Sequence, residues 1–360
     1  MQPPESPGQE TAHRRDAAGH VRVRPMQAAD IEPVRWLTYR AYAAVLLELY
    51  GAEAAAQYEV RSRRFMAMYL ARDPQASLVA EAADGTVVGA VFCFVWGEVG
   101  WFGSLAVAPE AQGQGIGQAL TRQAIEYLAG RGCRRIGLET WPTAPLVRHL
   151  YGKLGFFPCR STVRCSRAVA SSIAGAPGQQ PVAGVEWVAA GQPAALEAAL
   201  RRVHAVTARL AATAGGEPVA DFRDEVRIAV EAGWAELCTL ADGHGDPGAF
   251  ALCYTKRPSG EPVQALDVRL LVVAPPAAQE PARADEARLD QLLAALEARA
   301  AARGLASLTC DVNLRYQRAA ALLRARGFRP FYELLRMERP LPGFDALSRS
   351  PLIECARWAG

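Results

Sequence analysis

Lysine is almost missing from this 360-residue chain: of its 40 basic residues only Lys153 and Lys256 are lysines. The other cationic side chains are arginines, and against 37 acidic residues they leave a net charge of +3. That balance lacks the concentrated basic footprint of a dedicated nucleic-acid binder. Long apolar runs are missing too. The longest, Val87 to Trp96, falls well short of the roughly 20 residues that cross a bilayer, so no membrane span is expected. The first stretch, MQPPESPGQETAHRRDAAGH, has no basic start leading into an apolar segment and so no secretion signal. Residues 1–20 are expected to form a flexible tail. Eight cysteines (93, 133, 159, 165, 238, 253, 310 and 355) include no Cys-x-x-Cys pair and no Cys/His cluster at zinc-ligand spacing. No metal is expected, and the thiols read as small buried apolar residues in a reducing cytoplasm. These absences leave small molecules or peptides as partners, with no nucleic acid and no membrane, and are compatible with a homodimer.

What is present is 51% hydrophobic and 21% charged, a soluble globular composition. At about 150 residues per domain the length suggests two domains. AVASSIAGAPGQQPVAGV, rich in small residues, Gly and Pro, reads as a linker over 169–184. The first block, 21–168, reads as a strand 21–26, a helix from the cap Asp30 and an aromatic-rich helical stretch to about 72. A strand 77–82 and the turn Asp84-Gly85 lead into strand 87–96. Strand 101–107, a glycine-rich loop, helix 116–129, strand 134–139, helix 145–154 and a strand from about 157 follow.

The second block, 185–340, repeats that order: VEWVAA, a helix 193–212, the strand pair AELCTLAD and GAFALCYTK around Asp242-Gly243, then strand 264–274. A helix 286–303, the strand LASLTCDV and a helix ending Arg326-Gly327-Phe328 complete it. Val273-Ala274-Pro275 answers Val107-Ala108-Pro109, and Gly327-Phe328 answers Gly155-Phe156. The expected fold class is α/β, two copies of one unit, each a mixed central sheet flanked by helices. The tail 341–360 has room for one short docking helix.

Chemistry concentrates after the strand Leu105-Ala106-Val107. There Pro109 breaks the chain, and Gln112-Gly113-Gln114-Gly115-Ile116-Gly117-Gln118 opens a helix through three alternating glycines. A helix N-terminus leaves backbone N–H groups unpaired and partly positive, which suits phosphate, and absent Cβ atoms let it approach. Ile116, Leu120, Ala124 and Leu128 put one apolar face on that helix, ready to pack on a sheet. A dinucleotide fingerprint fails because Gln118 stands where its third glycine belongs, and no Gly-Lys-Ser/Thr occurs for a P-loop.

With these residues the first block resembles the GCN5-related N-acetyltransferases (GNAT). Gln112 to Gly117 matches that family's acetyl-CoA signature Gln/Arg-x-x-Gly-x-Gly/Ala after a strand ending Val-Ala-Pro, and Leu150-Tyr151-Gly152-Lys153-Leu154-Gly155-Phe156 matches its Leu-Tyr-x-x-x-Gly-Phe segment. The resemblance covers about residues 20–168. It implies tandem GNAT folds, with Leu105, Ala106 and Val107 pairing by backbone with the pantetheine arm. It also implies that the N–H groups from Gly113 to Gln118 hold the pyrophosphate of acetyl-CoA.

Acetyl transfer from a thioester to an amine needs a neutral amine, a polarised carbonyl and a proton for the departing thiolate. The resemblance gives Tyr151 the last role; a phenol of pKa about 10 is protonated at pH 7. It gives Glu139, twelve residues earlier on a strand, the role of general base, directly or through water. Where the family often carries an asparagine five residues after that glutamate, this chain has Ala144. His149 is read as a surface residue. The rings and methionines at 36, 39, 42, 50, 58, 65, 66, 68 and 69 are read mostly as core, with one or two rings lining the acceptor pocket.

In the second block the corresponding loop, Pro275 to Glu286, contains no glycine, and its Glu280, Asp285 and Glu286 would repel a phosphate. Leu323 stands where Tyr151 does, and Asp311 falls on Glu139. The second block is therefore expected to be a degenerate copy with a structural or acceptor-shaping role. Together these features imply a cytoplasmic N-acetyltransferase that moves acetyl from acetyl-CoA to a primary amine of a small molecule or peptide by direct attack. The alternative is a noncatalytic acyl-CoA sensor acting on a partner through the second block.

Overall fold

A computed structural model of the chain describes residues 21–169, 182–242, 245–339 and 353–356. The expected tail 1–20, residues 170–181 of the expected linker and the turn residue Gly243 lie outside them. The first half runs β1 (Arg22–Pro25), α1 (Ile31–Tyr50), α2 (Ala52–Ala56), α3 (Arg63–Arg72), β2 (Ser77–Glu81), β3 (Val87–Trp96) and β4 (Val99–Val107). It continues with α4 (Ile116–Gly130), β5 (Arg135–Thr140), α5 (Pro145–Lys153) and β6 (Phe157–Ala168). The second half follows the same order: β7 (Val185–Val188), α6 (Pro193–Thr213), α7 (Arg223–Glu231), β8 (Ala235–Ala241), β9 (Pro247–Lys256) and β10 (Pro262–Val273). Then come α8 (Ala284–Ala302), β11 (Ser307–Asn313), α9 (Gln317–Ala325), β12 (Arg329–Arg339) and β13 (Ile353–Ala356). Elements expected from apolar periodicity stand within a few residues of their anticipated ends. The aromatic-rich stretch is broken into three helices, because Gly51 turns the chain at φ 84° and Ser62 caps α3, accepting from Phe65 N at 3.2 Å.

All described strands join one sheet in the order β1-β2-β3-β4-β5-β12-β6-β11-β10-β9-β8-β7, with β13 on β10. The two halves are not separate sheets. The last strand of each lies against the other: β12 pairs antiparallel with β5, and β6 pairs antiparallel with β11. An unpaired edge is a liability that proteins cover, and here each half covers the edge of its partner. The halves also share a core. Phe65 of α3 meets Trp234 at 5.1 Å between ring centroids, and Trp96 of β3 meets Phe222 at 5.6 Å. The expected division at 169–184 thus marks a change of repeat and not a boundary across which few contacts pass. Of the tail 341–360 the structure describes Ile353–Ala356, a strand on the free edge of β10; the rest of the tail, where a short docking helix is expected, lies outside the described residues.

Two cores flank the first half of the sheet. One face carries Leu78, Phe102, Ile136, Leu138 and Tyr151 under Ile116, Leu120, Ala124 and Leu128 of α4, the apolar face read from the sequence. On the opposite face Trp101 lies flat against β5, where a Cβ on Gly137 would stand 2.1 Å from its ring. Only glycine fits at that point.

Candidate active site

β4 and β5 run parallel but pair only over Val99–Trp101 against Arg135–Gly137. Past Trp101 they part, and among the described residues no strand pairs with that edge of Leu105, Ala106 and Val107. The opening begins at a bulge in β4, where the register against β3 shifts and Ser104 takes φ 51°, a left-handed conformation uncommon for a residue with a side chain. Both segments that the sequence marked converge on this opening.

The first is the glycine loop. Gln112 donates from its side-chain amide to the Val107 carbonyl at 3.2 Å, turning the chain back on the strand end. Gly113 and Gly115 stand at φ 77° and 83°, which a side chain would strain, and Gly115 is the left-handed cap of α4. Ala119 donates the first bond of the helix, to Gly115 O at 3.0 Å, so the amides of Ile116, Gly117 and Gln118 precede it and have no intrahelical acceptor. A Cβ at Gly113 would meet nothing within 4 Å, and one at Gly117 would lie 3.5 Å from Leu150 and 3.7 Å from Val107. The turn has the room and the donors to take a diphosphate beside a bare strand edge.

The second is Tyr151 on α5. Its side chain is buried between Phe102 and Phe156, both edge-on at about 6 Å. Burial, with a smaller contribution from Tyr42, pushes its hydroxyl well above the ordinary phenol value. The hydroxyl therefore stays protonated at neutral pH and can donate a hydrogen bond to a neighbouring acceptor. His149, on the same helix, is exposed, as its reading as a surface residue expects.

Glu139 is elsewhere. On β5 it faces the side of the sheet that holds Trp101, opposite Leu138 and Tyr151. Its side chain is 0% exposed, and Arg336 of β12, itself 1% exposed, donates to Oε1 from Nη2 at 2.9 Å and Nε at 3.2 Å. The Thr162 hydroxyl donates to the same oxygen. The contact of Glu139 with Arg336 fastens β12 to the first half, and its other carboxylate oxygen, Oε2, is buried with no hydrogen-bond partner among the described residues. The second half contains a control. Asp311, its counterpart on β11, lies directly opposite Arg164 of β6 and pairs with it at 3.5 Å, as Glu139 lies opposite Arg336. An acid at this position thus recurs where Leu323 stands in place of the tyrosine.

The acceptor side was only partly legible. Phe65, Met66, Met68 and Tyr69 are core on the far face. Trp36 and Tyr50 are largely exposed. Tyr39, Tyr42 and Tyr58 form a chain of rings, Tyr39–Tyr58 at 6.1 Å and Tyr42–Tyr58 at 5.7 Å, that continues to Trp141 at 5.4 Å from Tyr42. Trp141 then donates from Nε1 to the Tyr332 hydroxyl at 2.6 Å. Tyr332 belongs to β12, so the second half places a side chain beside the first half's site. No local pattern marks it, because the exchange that carries it there is a property of the whole topology. The loop before α3 is also held by the second half, through Ser62 N to Pro258 O at 2.7 Å and the pair Arg257–Glu59 at 2.5 Å.

In the second half the expected repulsion from Glu280, Asp285 and Glu286 is removed by pairing. Arg209 and Arg288 hold Glu280, and Arg318 holds Asp285 and Glu286.

With this geometry in hand, comparison with known proteins is direct. The model of the acetyltransferase (GNAT) family matches residues 43–156. That segment is a GNAT-family domain. Aminoglycoside N(6')-acetyltransferase type 1 of Klebsiella aerogenes is 29% identical over 154 residues, covering 40% of this chain and 94% of that protein. Among solved structures, a tandem GNAT protein from the clavulanic acid biosynthesis pathway matches with TM-score 0.52 and 18% identity over 90% of this chain and 100% of its own. A GCN5-related N-acetyltransferase from Sphaerobacter thermophilus matches with TM-score 0.53 and 15% identity over 91% and 98%. Likeness across nine-tenths of the chain shows the GNAT fold, in a mixed α/β sheet flanked by helices. No described helix is long and apolar enough to cross a membrane.

Proposed function

We propose that the first half binds acetyl-CoA and transfers its acetyl group to a primary amine of a small molecule or peptide. The observation that carries this is the meeting of three features at one opening: the amides of Gly113 to Gln118, the bare edge of Leu105 to Val107, and the buried phenol of Tyr151. The diphosphate lies on the amides, the pantetheine arm pairs along the strand, and the thioester reaches Tyr151. The amine nitrogen attacks the acyl carbon, the C–S bond breaks, and the thiolate takes the Tyr151 proton. With Glu139 paired to Arg336, the acceptor enters as the free base, and the proton its nitrogen loses after attack passes through water to restore the Tyr151 phenol. The second half acts by walling the acceptor side with Tyr332 and by completing the sheet.

A sensor that binds acyl-CoA without turnover is the competing reading. Release of free thiol from acetyl-CoA with a panel of amines separates the two: turnover above the hydrolysis background supports the enzyme, and binding without turnover supports the sensor. Relatives named for aminoglycosides and for glucosamine 6-phosphate make polar amino sugars the first members of that panel.

A further inference from the structure

The two halves treat one strand edge differently. Aligned on Val107-Ala108-Pro109 and Val273-Ala274-Pro275, residues Leu105, Ala106 and Val107 correspond to Leu271, Val272 and Val273. β10 pairs with β11 over Leu266–Val268 and then diverges, as β4 diverges from β5. In the second half, however, the exposed edge is taken: Leu270, Leu271, Val272 and Val273 pair antiparallel with Ala356, Cys355, Glu354 and Ile353.

The loop that follows is taken as well. Ala277 N donates to the Glu280 carboxylate at 2.6 Å, and that carboxylate also pairs with Arg209, at 3.2 Å, and with Arg288. A part-buried amide and two guanidinium groups around an acidic group form an anion site, here satisfied from within the chain.

We propose that the second half retains the shape of a cofactor cleft and that the chain itself fills it. Ile353–Ala356 takes the place along β10 that the pantetheine arm takes along β4, and the Glu280 carboxylate takes the place of a phosphate. This rests on the proposed function for what the open cleft of the first half receives. It assigns the Ile353–Ala356 segment a role as an internal ligand, which keeps the chain to one coenzyme and covers an edge that would otherwise invite another strand.

The test uses the full chain, a Glu354→Pro variant and a chain ended at Pro351, followed by hydrogen exchange and by calorimetric titration with coenzyme A. In the full chain the amides of Leu270 to Val273 should be protected and the stoichiometry should be one. In both altered chains exchange at those amides should quicken by at least about tenfold, while Leu105 to Val107 should gain protection only when coenzyme A is added. Equal exchange in all three chains, or two coenzymes per full chain, would overturn the proposal. If the shortened chain does not fold, the proline variant and the full-chain stoichiometry still decide. An absence of any coenzyme binding would count against the proposed function instead, and the exchange result, which depends on the backbone strand alone, would be judged separately.

Discussion

Arg336→Met separates a structural Glu139 from a catalytic one. In the native protein Arg336 and Glu139 are almost wholly buried and joined by two hydrogen bonds. Removing the guanidinium leaves a carboxylate buried without its counter-charge, which costs about 3–5 kcal/mol in comparable pairs. With a urea slope near 3 kcal/mol/M, the unfolding midpoint should fall by about 1 M or more. Glu139→Gln leaves a neutral group that the Thr162 hydroxyl can still reach, and it strands the arginine, so a loss of similar order is expected. The double variant Glu139→Gln/Arg336→Met should recover part of the sum, because the two residues act as one unit. Arg164→Met, which breaks the equivalent contact with Asp311, should also destabilise. The assay pairs urea unfolding with turnover measured well below the midpoint of each variant. Folded Glu139→Gln should retain kcat within about tenfold of the native enzyme, since a lost general base costs about a hundredfold or more. A variant of native stability whose turnover falls by that larger factor would refute the structural reading and return Glu139 to the chemistry.

Tyr151→Phe should lower kcat by about tenfold to a hundredfold with coenzyme affinity unchanged, read by steady-state kinetics and calorimetry. Gly115→Val, which forces a β-branched residue to φ 83°, should weaken coenzyme A binding by at least about tenfold, a conformational cost of about 1–3 kcal/mol. The reactive amine is the neutral one, about one molecule in a thousand at pH 7 for a pKa near 10, so kcat/KM should rise about tenfold per pH unit toward the acceptor's own pKa. Burial holds the Tyr151 proton on beyond the ordinary phenol range, so the acid should not titrate away within that window; a plateau above pH 6 would instead indicate an enzyme base. Tyr332→Ala should raise the acceptor KM and leave coenzyme affinity alone, as measured by the same kinetics.

How much of this was legible in the sequence depended on the range of the interaction. Helices such as α4 follow from a four-residue apolar spacing, and the turn at Gly113 and Gly115 follows from a backbone that only glycine adopts easily. Both are local. Tyr151 is marked by its neighbours in the chain, and it is buried between Phe102 and Phe156. The surroundings of Glu139 are not legible, because the same residue type on a strand end serves a proton transfer or a salt bridge equally well, and its partner lies 197 residues away. The exchange of β6 and β12 left no sign in either repeat, since each strand carries the pattern it would need in its own half. Tyr332 was invisible for the same reason, and the strand at Ile353–Ala356 is too short to announce itself without the edge it covers.

A crystal structure of the full chain with coenzyme A would test the central claim most directly. It should show the diphosphate within about 3 Å of the amides between Gly113 and Gln118, the pantetheine arm along Leu105 to Val107, and the sulfur beside the Tyr151 hydroxyl. Density for the coenzyme against β10 instead, or a sulfur turned away from that hydroxyl, would contradict it.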